Sequence, residues 1–392
     1  MMSQKASMLS DRGEFARGTE PFRRELLAHC YRLLGSVDDA EDLVQETYLR
    51  AWRSYDRFEG RSSMRRWLYQ IATNACLTAL QHRARRPLPS GLGGPAQDTG
   101  APPEPGADVA WLQPIPDALV TPESDDPAAI TVSRESLRLA LIASFQYLPP
   151  QQRAVLILRE VLAFPAADVA EMLGTTTAAV KSALQRARVR LQQEAPDAGQ
   201  VTEPGEPQAR ALLDQYIAAF ETADAKALER LLRKDATLEL PPSAAWFAGD
   251  EAIAGAVAGL GAPGAWRMLP VAANGQPGAA AYLRDTDGCY RAYGIVVLTA
   301  TTTGIARIVV FADPGLFARF GLPQARPAGS RRAAARHRAQ PHHDTPRERR
   351  APGSAIRYAL GSLSCVKESG TIWGRLRRIV PLSILGGNEA AR

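Results

Sequence analysis

The chain has 392 residues, 45% of them hydrophobic and 22% charged, which suits two or three globular domains; no run of about 20 apolar residues occurs, which excludes a transmembrane helix. The polar start, residues 1–20, lacks the apolar block of a signal peptide, so we expect a cytoplasmic protein with no membrane partner. The net charge of +6 comes from the arginine-rich end 325–392, so bulk charge does not make the rest of the chain a nucleic-acid binder.

Composition divides the chain into folded and unfolded segments. Two stretches are dense in proline, glycine and alanine and bury little apolar surface, so we expect flexible linkers at 87–129 and 195–207. The basic, breaker-rich end at 324–392 is expected to be a disordered tail. The four cysteines lie far apart and form no CxxC pair, so we expect neither a disulfide framework nor a bound metal. Hydrophobic periodicity predicts three folded segments: 20–86, 130–194 and 208–323.

Segment 20–86 is predicted to consist of three helices. Apolar residues at helical spacing over Phe22–Leu34 stop at Gly35, and Ser36 is a suitable N-cap for a second helix. One face of the second helix carries acids and glutamine, which either are merely solvated or form a protein-docking surface. The third helix, predicted over Met64–His82, combines aromatic, arginine and asparagine side chains. Its aromatics either belong to the core or stack on unpaired bases.

Segment 130–194 is also predicted to be helical. Helices are expected over Ser133–Leu148 and Gln151–Leu162, followed by a short helix that ends at Gly174 and a longer one. A short helix, a glycine turn and a second helix with a basic outer face are typical of a DNA-binding helix-turn-helix. The alternative is a hairpin in a core whose charges are only solvated, and the one-sided basic face favours DNA.

Segment 208–323 has a different pattern. Two predicted helices, Ala209–Thr222 and Lys226–Arg233, precede three β-rich runs that are separated by turn signals. Helices followed by a meander of strands predict an α+β domain. The strand-like runs are Ala279–Leu283, Cys289–Thr299 and Ile305–Phe311.

Three motifs in chain order resemble the extracytoplasmic-function sigma factors of bacterial RNA polymerase. Asp39–Trp52 is similar to the helix of that family that binds core polymerase, and Arg66–Asn74 to the helix that melts and reads the minus-ten element. The stretch from Leu148 through the helix-turn-helix is similar to the domain that binds the minus-thirty-five element. The resemblance implies a sigma factor whose partners are core RNA polymerase and promoter DNA, which is not an enzyme and needs no cofactor.

The resemblance also implies which residues act. Core polymerase would be bound by Asp39, Glu41, Asp42, Leu43, Val44, Gln45 and Glu46. The minus-ten element would be handled by Arg61, Arg65, Arg66, Trp67 and Asn74. The upstream element would be contacted by Thr176, Thr177, Lys181, Ser182, Gln185, Arg186 and Arg188.

Segment 208–323 resembles SnoaL-like domains, a cone-shaped α+β fold shared with ketosteroid isomerases, on motifs such as Trp246–Gly249 and Asn274–Pro277. The combination is similar to large actinobacterial sigma factors of the SigG and SigJ type. The fold class implied is multidomain: two all-α sigma domains, the second with a helix-turn-helix, an α+β SnoaL-like domain and a disordered basic tail. Because fold does not imply function, we expect a regulatory surface or a small-ligand pocket in the third domain rather than catalysis.

Two other function classes remain open at the level of sequence. An operator-binding transcription regulator with a ligand-sensing domain would bind duplex DNA without polymerase and would need a dimer interface. An enzyme tethered to DNA would need an apolar pocket that holds a carboxylate of raised pKa. We expect the sigma factor, with its activity modulated by the C-terminal domain.

Overall fold

The computed structural model describes residues 13–58, 62–81, 83–97, 109–122, 127–194, 206–259 and 261–327. The predictions for Arg61, for the end of the third helix at His82 and for residues 328–392 of the tail lie outside the described residues. The described part comprises two helical units, the segment that connects them and an α+β unit.

After a helical stretch at residues 13–19, which adds Phe15 to the core, the first helical unit packs three longer helices around one apolar core. They are α1 (Arg23–Leu34), α2 (Val37–Arg53) and α3 (Met64–Leu80). Gly35 ends α1 in the left-handed region, with φ at 68°, which glycine adopts without steric cost. Ser36 then caps α2, because its hydroxyl accepts a hydrogen bond from the backbone N–H of Asp39 at 3.2 Å. The predicted helical character of this segment is confirmed.

The connection between the helical units is packed in its described parts, which differs from the flexible linker predicted over 87–129. It contains a short helix, α4 (Asp117–Val120), and its Leu112 and Ile115 are fully buried in the same apolar cluster as α1. A few apolar residues among prolines and glycines are enough to anchor a segment when a surface is available to receive them. Composition alone does not show that surface.

The second helical unit contains five helices and ends in the predicted helix-turn-helix. The turn between its last two helices lies at Gly174, whose φ is 60°. The helix before this motif continues from Leu156 into a π-helical turn, Ile157–Val161. The five helices are α5 (Pro127–Glu135), α6 (Leu139–Phe145), α7 (Pro150–Leu156), α8 (Ala166–Met172) and α9 (Thr177–Glu194).

The single helix predicted over Ser133–Leu148 is interrupted between α5 and α6. At the interruption the carbonyl of Leu137 accepts a hydrogen bond from Asn274 (2.7 Å), and the N–H of Leu139 donates to Gln276 (3.0 Å). Side chains from a distant part of the chain thus satisfy backbone groups that a continuous helix would use itself. Tertiary contacts override local propensity here.

The third unit is α+β, as predicted. Its helices are α10 (Glu206–Glu221), α11 (Ala225–Leu231), α12 (Asp250–Ala258) and α13 (Leu316–Arg319). Its strands are β1 (Leu232–Glu239), β2 (Trp246–Ala248), β3 (Trp266–Ala273), β4 (Gln276–Arg284), β5 (Tyr290–Thr301), β6 (Gly304–Phe311) and β7 (Ala325–Arg326). The sheet has the order β2-β1-β6-β5-β4-β3, with β7 added to β5. Pairing is antiparallel except between β1 and β6.

The predicted helix Lys226–Arg233 ends earlier, because β1 begins at Leu232 and pairs there with Ile305 of β6. The strand β1 was not predicted, since its first half carries the consecutive charges Arg233, Lys234 and Asp235. Only the second half of β1, from Ala236, is mainly buried. An exposed, charged start hides the alternation that identifies a strand.

The sheet has two covered faces, which places the α+β unit against the helical units. Ala279 and Ala281 of β4 belong to an apolar cluster with α10, α11 and α12. Ala280 and Tyr282 point the other way and belong to the cluster that contains α1–α3 and the connection. Because successive strand side chains alternate between faces, one sheet contributes to both cores. The described parts of the three units therefore pack as one body.

Candidate docking and DNA-binding surfaces

Only part of the docking surface predicted on α2 is exposed, and the exposed side chains form one stripe along the helix. Asp42, Gln45 and Leu49 are exposed and lie three to four residues apart, so they share one face of the helix. Leu49 is 51% exposed, the largest exposed fraction among the large apolar side chains of the described residues. Glu46, beside the stripe, accepts a hydrogen bond from Arg50 at 2.7 Å. An apolar side chain ringed by polar ones is typical of a protein-docking site.

Two of the predicted polymerase-binding residues face inward. Val44 is fully buried in the core of the first unit, so that prediction is corrected: its side chain presents no surface to a partner. Glu41 is almost buried and forms an ion pair with Arg23 at 2.8 Å, so it stabilises the packing of α2 on α1. Leu43 is half-buried against the same core.

The acidic start of α2 is occupied by cations from elsewhere in the chain. Asp39 binds Arg86 at 2.7 Å and also pairs with Arg83, both of which follow α3. Asp38 forms an ion pair with Arg319 of α13 at 2.7 Å, which brings the α+β unit to the edge of the predicted docking surface.

Two residues of the minus-ten surface predicted on α3 are bonded to α8, the first helix of the helix-turn-helix, although Asn74 remains exposed. Arg66 bonds to the carboxylate of Glu171 and lies 3.9 Å from that of Asp168. The Asn74 amide donates to the carbonyl of Met172 at 3.3 Å. The two side chains best suited to contact a DNA phosphate and a base edge are therefore bonded to α8.

The remaining described residues of this surface, Arg65 and Trp67, also contact neighbouring side chains. Arg65 pairs with Glu25 at 2.8 Å, and its guanidinium lies 5.2 Å from the ring centre of Phe164, just before α8. Trp67 is half-buried, and its ring stacks on Phe58 at 4.7 Å. Of the two roles that the sequence left open for Trp67, the structure shows packing against a neighbouring ring.

The outer face of α9 is open, in contrast to α3. It presents the hydroxyl, amide and cationic groups that suit the major groove, and its cations Lys181 and Arg186 form no ion pair with any described residue. Thr176 also caps the helix, since its hydroxyl accepts a hydrogen bond from Ala179 at 3.1 Å. The exposed predicted residues are Thr176, Thr177, Lys181, Ser182, Gln185 and Arg186.

Arg188 does not belong to the exposed face of α9. Its guanidinium binds Glu160 of the π-helical turn at 2.5 Å, and the Glu160 side chain is only 7% exposed. A buried carboxylate without a partner is unfavourable, so this pair holds α9 on the helix that precedes the motif. Arg188 forms an ion pair in this arrangement, and its contact with DNA stays a prediction.

The β3–β4 hairpin joins all three units. At its tip, the Asn274 amide donates to the Tyr31 hydroxyl of α1 (2.8 Å) and to the Leu137 carbonyl (2.7 Å), as its oxygen accepts from Ile115 N–H (3.0 Å). The backbone N–H of Asn274 donates to the Ile115 carbonyl at 3.0 Å. We call Asn274, Gly275 and Gln276 the hairpin tip. Its side chains reach the first unit, the connection and the second unit at once.

Gly275 permits the close approach of the hairpin tip. Its φ is 68°, and a Cβ at this position would lie 2.5 Å from the Arg134 carbonyl oxygen, so no other residue fits without displacement. Its N–H donates to Asp117 at 2.7 Å. Burial raises the pKa of Asp117, and this hydrogen bond opposes the rise by favouring the carboxylate.

Two buried polar side chains of α1, His29 and Tyr31, form hydrogen bonds to neighbouring parts of the chain. Burial lowers the pKa of His29 to about 3, with Arg32 and Arg65 adding repulsion, so the ring is neutral; its Nε2 lies 2.9 Å from the hydroxyl of Thr73. Burial also raises the pKa of Tyr31, which keeps its hydroxyl protonated to donate to the Gln113 carbonyl at 2.7 Å.

The α+β unit offers little for catalysis among its described residues. Its candidate carboxylates are bonded to cations or backbone N–H groups. A hollow between α10, α11 and α12, bordered by Phe220 and Trp266, encloses about 20 Å³, which suits one or two water molecules. The small-ligand prediction gains no support from it. Asp235, Asp250 and Asp285 pair with Arg233, Lys234 and Arg291, and Asp313 accepts from the N–H of Gly315. Glu239 is fully buried: one of its carboxylate oxygens accepts from the N–H of Ser90 at 3.0 Å, and the other lies 3.5 Å from Arg307.

No helix within the described ranges has the length and apolar character to cross a membrane. No three histidine, cysteine, aspartate or glutamate side chains of that part of the chain cluster as metal ligands would.

The residues that bond α8 to α3, and those that hold the hairpin tip, were not predicted from the sequence. Asp168 and Glu171 are ordinary acids on a short helix, and only the fold shows that they meet Arg66. Asn274-Gly275 does carry a signal, because this dipeptide strongly favours a two-residue hairpin turn. It predicts the turn, but not the partners of the turn.

The chain matches known families and proteins over its helical units and beyond. Residues 19–86 match Sigma-70 region 2, and residues 138–191 match Sigma-70, region 4. The ECF RNA polymerase sigma factor SigG of Mycobacterium tuberculosis is 48% identical over 316 residues, which cover 80% of this chain and 85% of the relative. SigJ of the same organism is 31% identical over 219 residues, covering 56% and 62%. The crystal structure of that SigJ has a TM-score of 0.49 at 24% identity and covers 77% of this chain and 97% of that one.

Proposed function

The chain belongs to the extracytoplasmic-function sigma factors of RNA polymerase, and on that premise we propose that the structure is the closed, inactive state of such a factor. Sigma factors bind core RNA polymerase and promoter DNA. The observation that carries the proposal is the bonding of Arg66 and Asn74 on α3 to α8, because these bonds engage two residues of the predicted minus-ten surface with part of the predicted upstream-binding domain.

We propose that core polymerase docks on the α2 stripe of Asp42, Gln45 and Leu49, with Leu43 and Glu46 at its border. These side chains are the exposed members of the predicted set together with one apolar residue that was not in it. Asp39 and Glu41 act indirectly, since their ion pairs fix the helix that carries the stripe. The ion pair of Asp38 with Arg319 places the α+β unit beside the docking stripe.

We propose that promoter DNA is bound in two places. In the open state Arg65, Arg66, Trp67 and Asn74 handle the melted minus-ten strand, together with Arg61. Thr176, Thr177, Lys181, Ser182, Gln185 and Arg186 of α9 contact the upstream element. Opening must break the bonds between Arg66 and α8 before the first surface can act.

The α+β unit, which resembles SnoaL-like domains, is proposed to modulate activity by holding the closed state. The hairpin tip supports this role, because Asn274 bonds to α1, to the connection and to the start of the second unit. A signal that displaced the hairpin tip would free both sigma domains. We further infer that the protein works in the cytoplasm, where polymerase and promoters are found.

The test is run-off transcription with purified core polymerase and DNA from the region upstream of the protein's own gene. We expect a promoter-specific transcript that is lost in the variant Asp42→Arg with Gln45→Ala. The matched control is Asp214→Arg with Gln215→Ala, at exposed positions of α10 in the α+β unit. Binding of the DNA without any transcript, at every promoter tried, would support an operator-binding regulator instead.

A further inference from the structure

The α2 stripe continues toward the start of its helix at Asp38. Asp38, Asp42, Gln45 and Leu49 are separated by four, three and four positions, so their side chains project from one side of α2. This face is about 17 Å long, because a helix rises about 1.5 Å per residue. Its carboxylates lie at one end, and Leu49, which is 51% exposed, lies at the other. A partner for this face therefore needs cations and large apolar side chains together.

The C-terminal part of the chain already places one cation on this face. Arg319 of α13 binds Asp38 through two guanidinium nitrogens, Nε at 2.8 Å and Nη2 at 2.7 Å. Such paired contacts are the strongest that an arginine makes with a carboxylate. Arg326 follows soon after and pairs with Tyr290 of β5. Since the seven steps from Arg319 to Arg326 span at most about 25 Å, the chain leaves the described part near the α2 stripe.

The sequence beyond that point contains a segment with the required chemistry. Residues 371–385 combine three arginines with one tryptophan and several leucine, isoleucine and valine residues, and they include no aspartate or glutamate. The other arginine-rich stretch of the tail, 331–350, has only alanine and proline as apolar residues. Residues 371–385 therefore match both the carboxylates and the exposed leucine of the α2 face, which 331–350 does not.

The length of the tail allows this segment to reach α2. About 44 residues lead from the end of the described part to residue 371, and a random coil of that length spans roughly 35 Å. A tether of this kind gives an effective concentration of roughly a millimolar, so even a weak contact within one chain is well populated.

We infer that residues 371–385 dock on the α2 stripe of the same chain in the closed protein. Their arginines pair with Asp42 and with the neighbouring Glu46, and their large apolar side chains cover Leu49. Competition with core polymerase follows from this docking and rests on the proposed function, because polymerase would use the same stripe. The tail is then a tethered competitor that polymerase displaces when it binds.

The first experiment is photocrosslinking of the full chain without polymerase. The photoreactive residue benzoylphenylalanine replaces Arg53, which is exposed one turn beyond Leu49 and leaves the stripe unchanged. Irradiation should link this position to residues 371–385 within one chain, as identified by mass spectrometry. The same residue in place of the exposed Asp214 of α10 is the control and should give no such link. Links only between two chains, or none to 371–385, would overturn the inference.

The arginines of the segment are tested by two full-chain variants that remove the same charge from different parts of the tail. Both variants carry the photoreactive residue at position 53. Removal of the arginines in 371–385 should reduce the yield of the link about fivefold, whereas the control should retain it, because a general basic charge is not sufficient. Equal yields from the two variants would overturn the inference. The test variant is Arg375→Gln, Arg377→Gln and Arg378→Gln, and the control is Arg331→Gln, Arg332→Gln and Arg336→Gln.

Titration of the same two variants, without the photoreactive residue, with core polymerase tests the competition. The variant that lacks the arginines of 371–385 should bind core polymerase about fivefold more tightly than the wild type, and the control should not. Equal affinities of the two variants would overturn the competition.

The inference and the proposed function fail in different ways. A chain that gives the link within one molecule, but keeps its polymerase affinity in the variant Asp42→Arg with Gln45→Ala, would leave the tail docking standing and overturn the polymerase contact. A chain that gives no link, but loses polymerase affinity in that variant, would overturn the tail docking and leave the polymerase contact intact.

Discussion

The side-chain amide of Asn274 donates a hydrogen bond of 2.8 Å to the hydroxyl of Tyr31, although the two residues are 243 positions apart. Both side chains are fully buried, so this bond lies inside the molecule at the meeting point of α1 and the β3–β4 hairpin. Buried polar groups must be satisfied, and each of these two residues satisfies the other. The closed arrangement is thus defined by directional bonds as well as by apolar burial.

Replacing Asn274 by alanine should loosen the joint of the three units. The change leaves the Ile115 N–H and the Leu137 carbonyl without their side-chain partners, so we expect a loss of about 3 kcal/mol in the free energy of unfolding. It also places alanine at a φ of 58°, where asparagine is better tolerated. Denaturant unfolding measures the loss, and hydrogen exchange should show faster exchange at Ile115 and Leu139.

The control for this joint is Tyr216→Phe in α10, which removes a buried tyrosine hydroxyl within the α+β unit and none of the bonds of the hairpin tip. Tyr31→Phe should give an intermediate result, since it removes the acceptor for Asn274 and the donor to Gln113 but leaves Ile115 bonded. Unchanged exchange at Ile115 in Asn274→Ala would contradict the assigned role.

Local sequence patterns predicted the helices whose ends and exposed faces depend on neighbouring residues. They failed where contacts with a distant segment determine the structure. The boundaries of α2 follow from the Ser36 cap, and the exposed face of α9 follows from its helical period. The interruption near Leu137 was not predictable, because the hairpin tip that satisfies it lies far along the chain. Burial of Val44 and pairing of Arg188 were missed for the same reason: membership of a motif does not say which way a side chain points.

The docking stripe on α2 can be tested at its apolar centre. Leu49→Ser should weaken binding to core polymerase by about 2 kcal/mol, roughly thirtyfold, because central apolar side chains carry much of the affinity of such interfaces. The exposed side chain packs little in the free protein, so the melting temperature should change little. Binding is measured by titration of labelled protein with core polymerase. Leu283→Ser on β4, with a 38% exposed leucine, is the matched control, and equal affinities of the two variants would refute the stripe.

The ion pair of Arg188 with Glu160 should contribute to stability and not to DNA affinity. Arg188→Ala leaves a nearly buried carboxylate unpaired, so we expect a loss of about 3 kcal/mol in unfolding free energy. A double-mutant cycle with Glu160→Ala should show that the two losses are not additive. Arg186→Ala, two residues earlier, should do the reverse and reduce duplex affinity with little effect on unfolding. A reduced salt dependence of DNA binding in folded Arg188→Ala would show that the guanidinium meets phosphate after all.

The neutral, buried His29 should make the protein sensitive to acid. Its pKa falls from the ordinary 6.5 to about 3 in the folded state because burial and the charges of Arg32 and Arg65 disfavour the protonated ring. Below pH 6.5 His29 binds a proton in the unfolded chain but stays neutral in the folded one. The contribution of His29 to the free energy of unfolding is therefore fully present above pH 6.5 and declines toward pH 3. The contribution of this one group to the slope approaches about 1.4 kcal/mol per pH unit. Urea unfolding between pH 7 and 4.5 should therefore give a shallower decline for His29→Gln than for the wild type. Equal slopes would mean that the ring is protonated in the folded protein or that acid unfolding begins elsewhere.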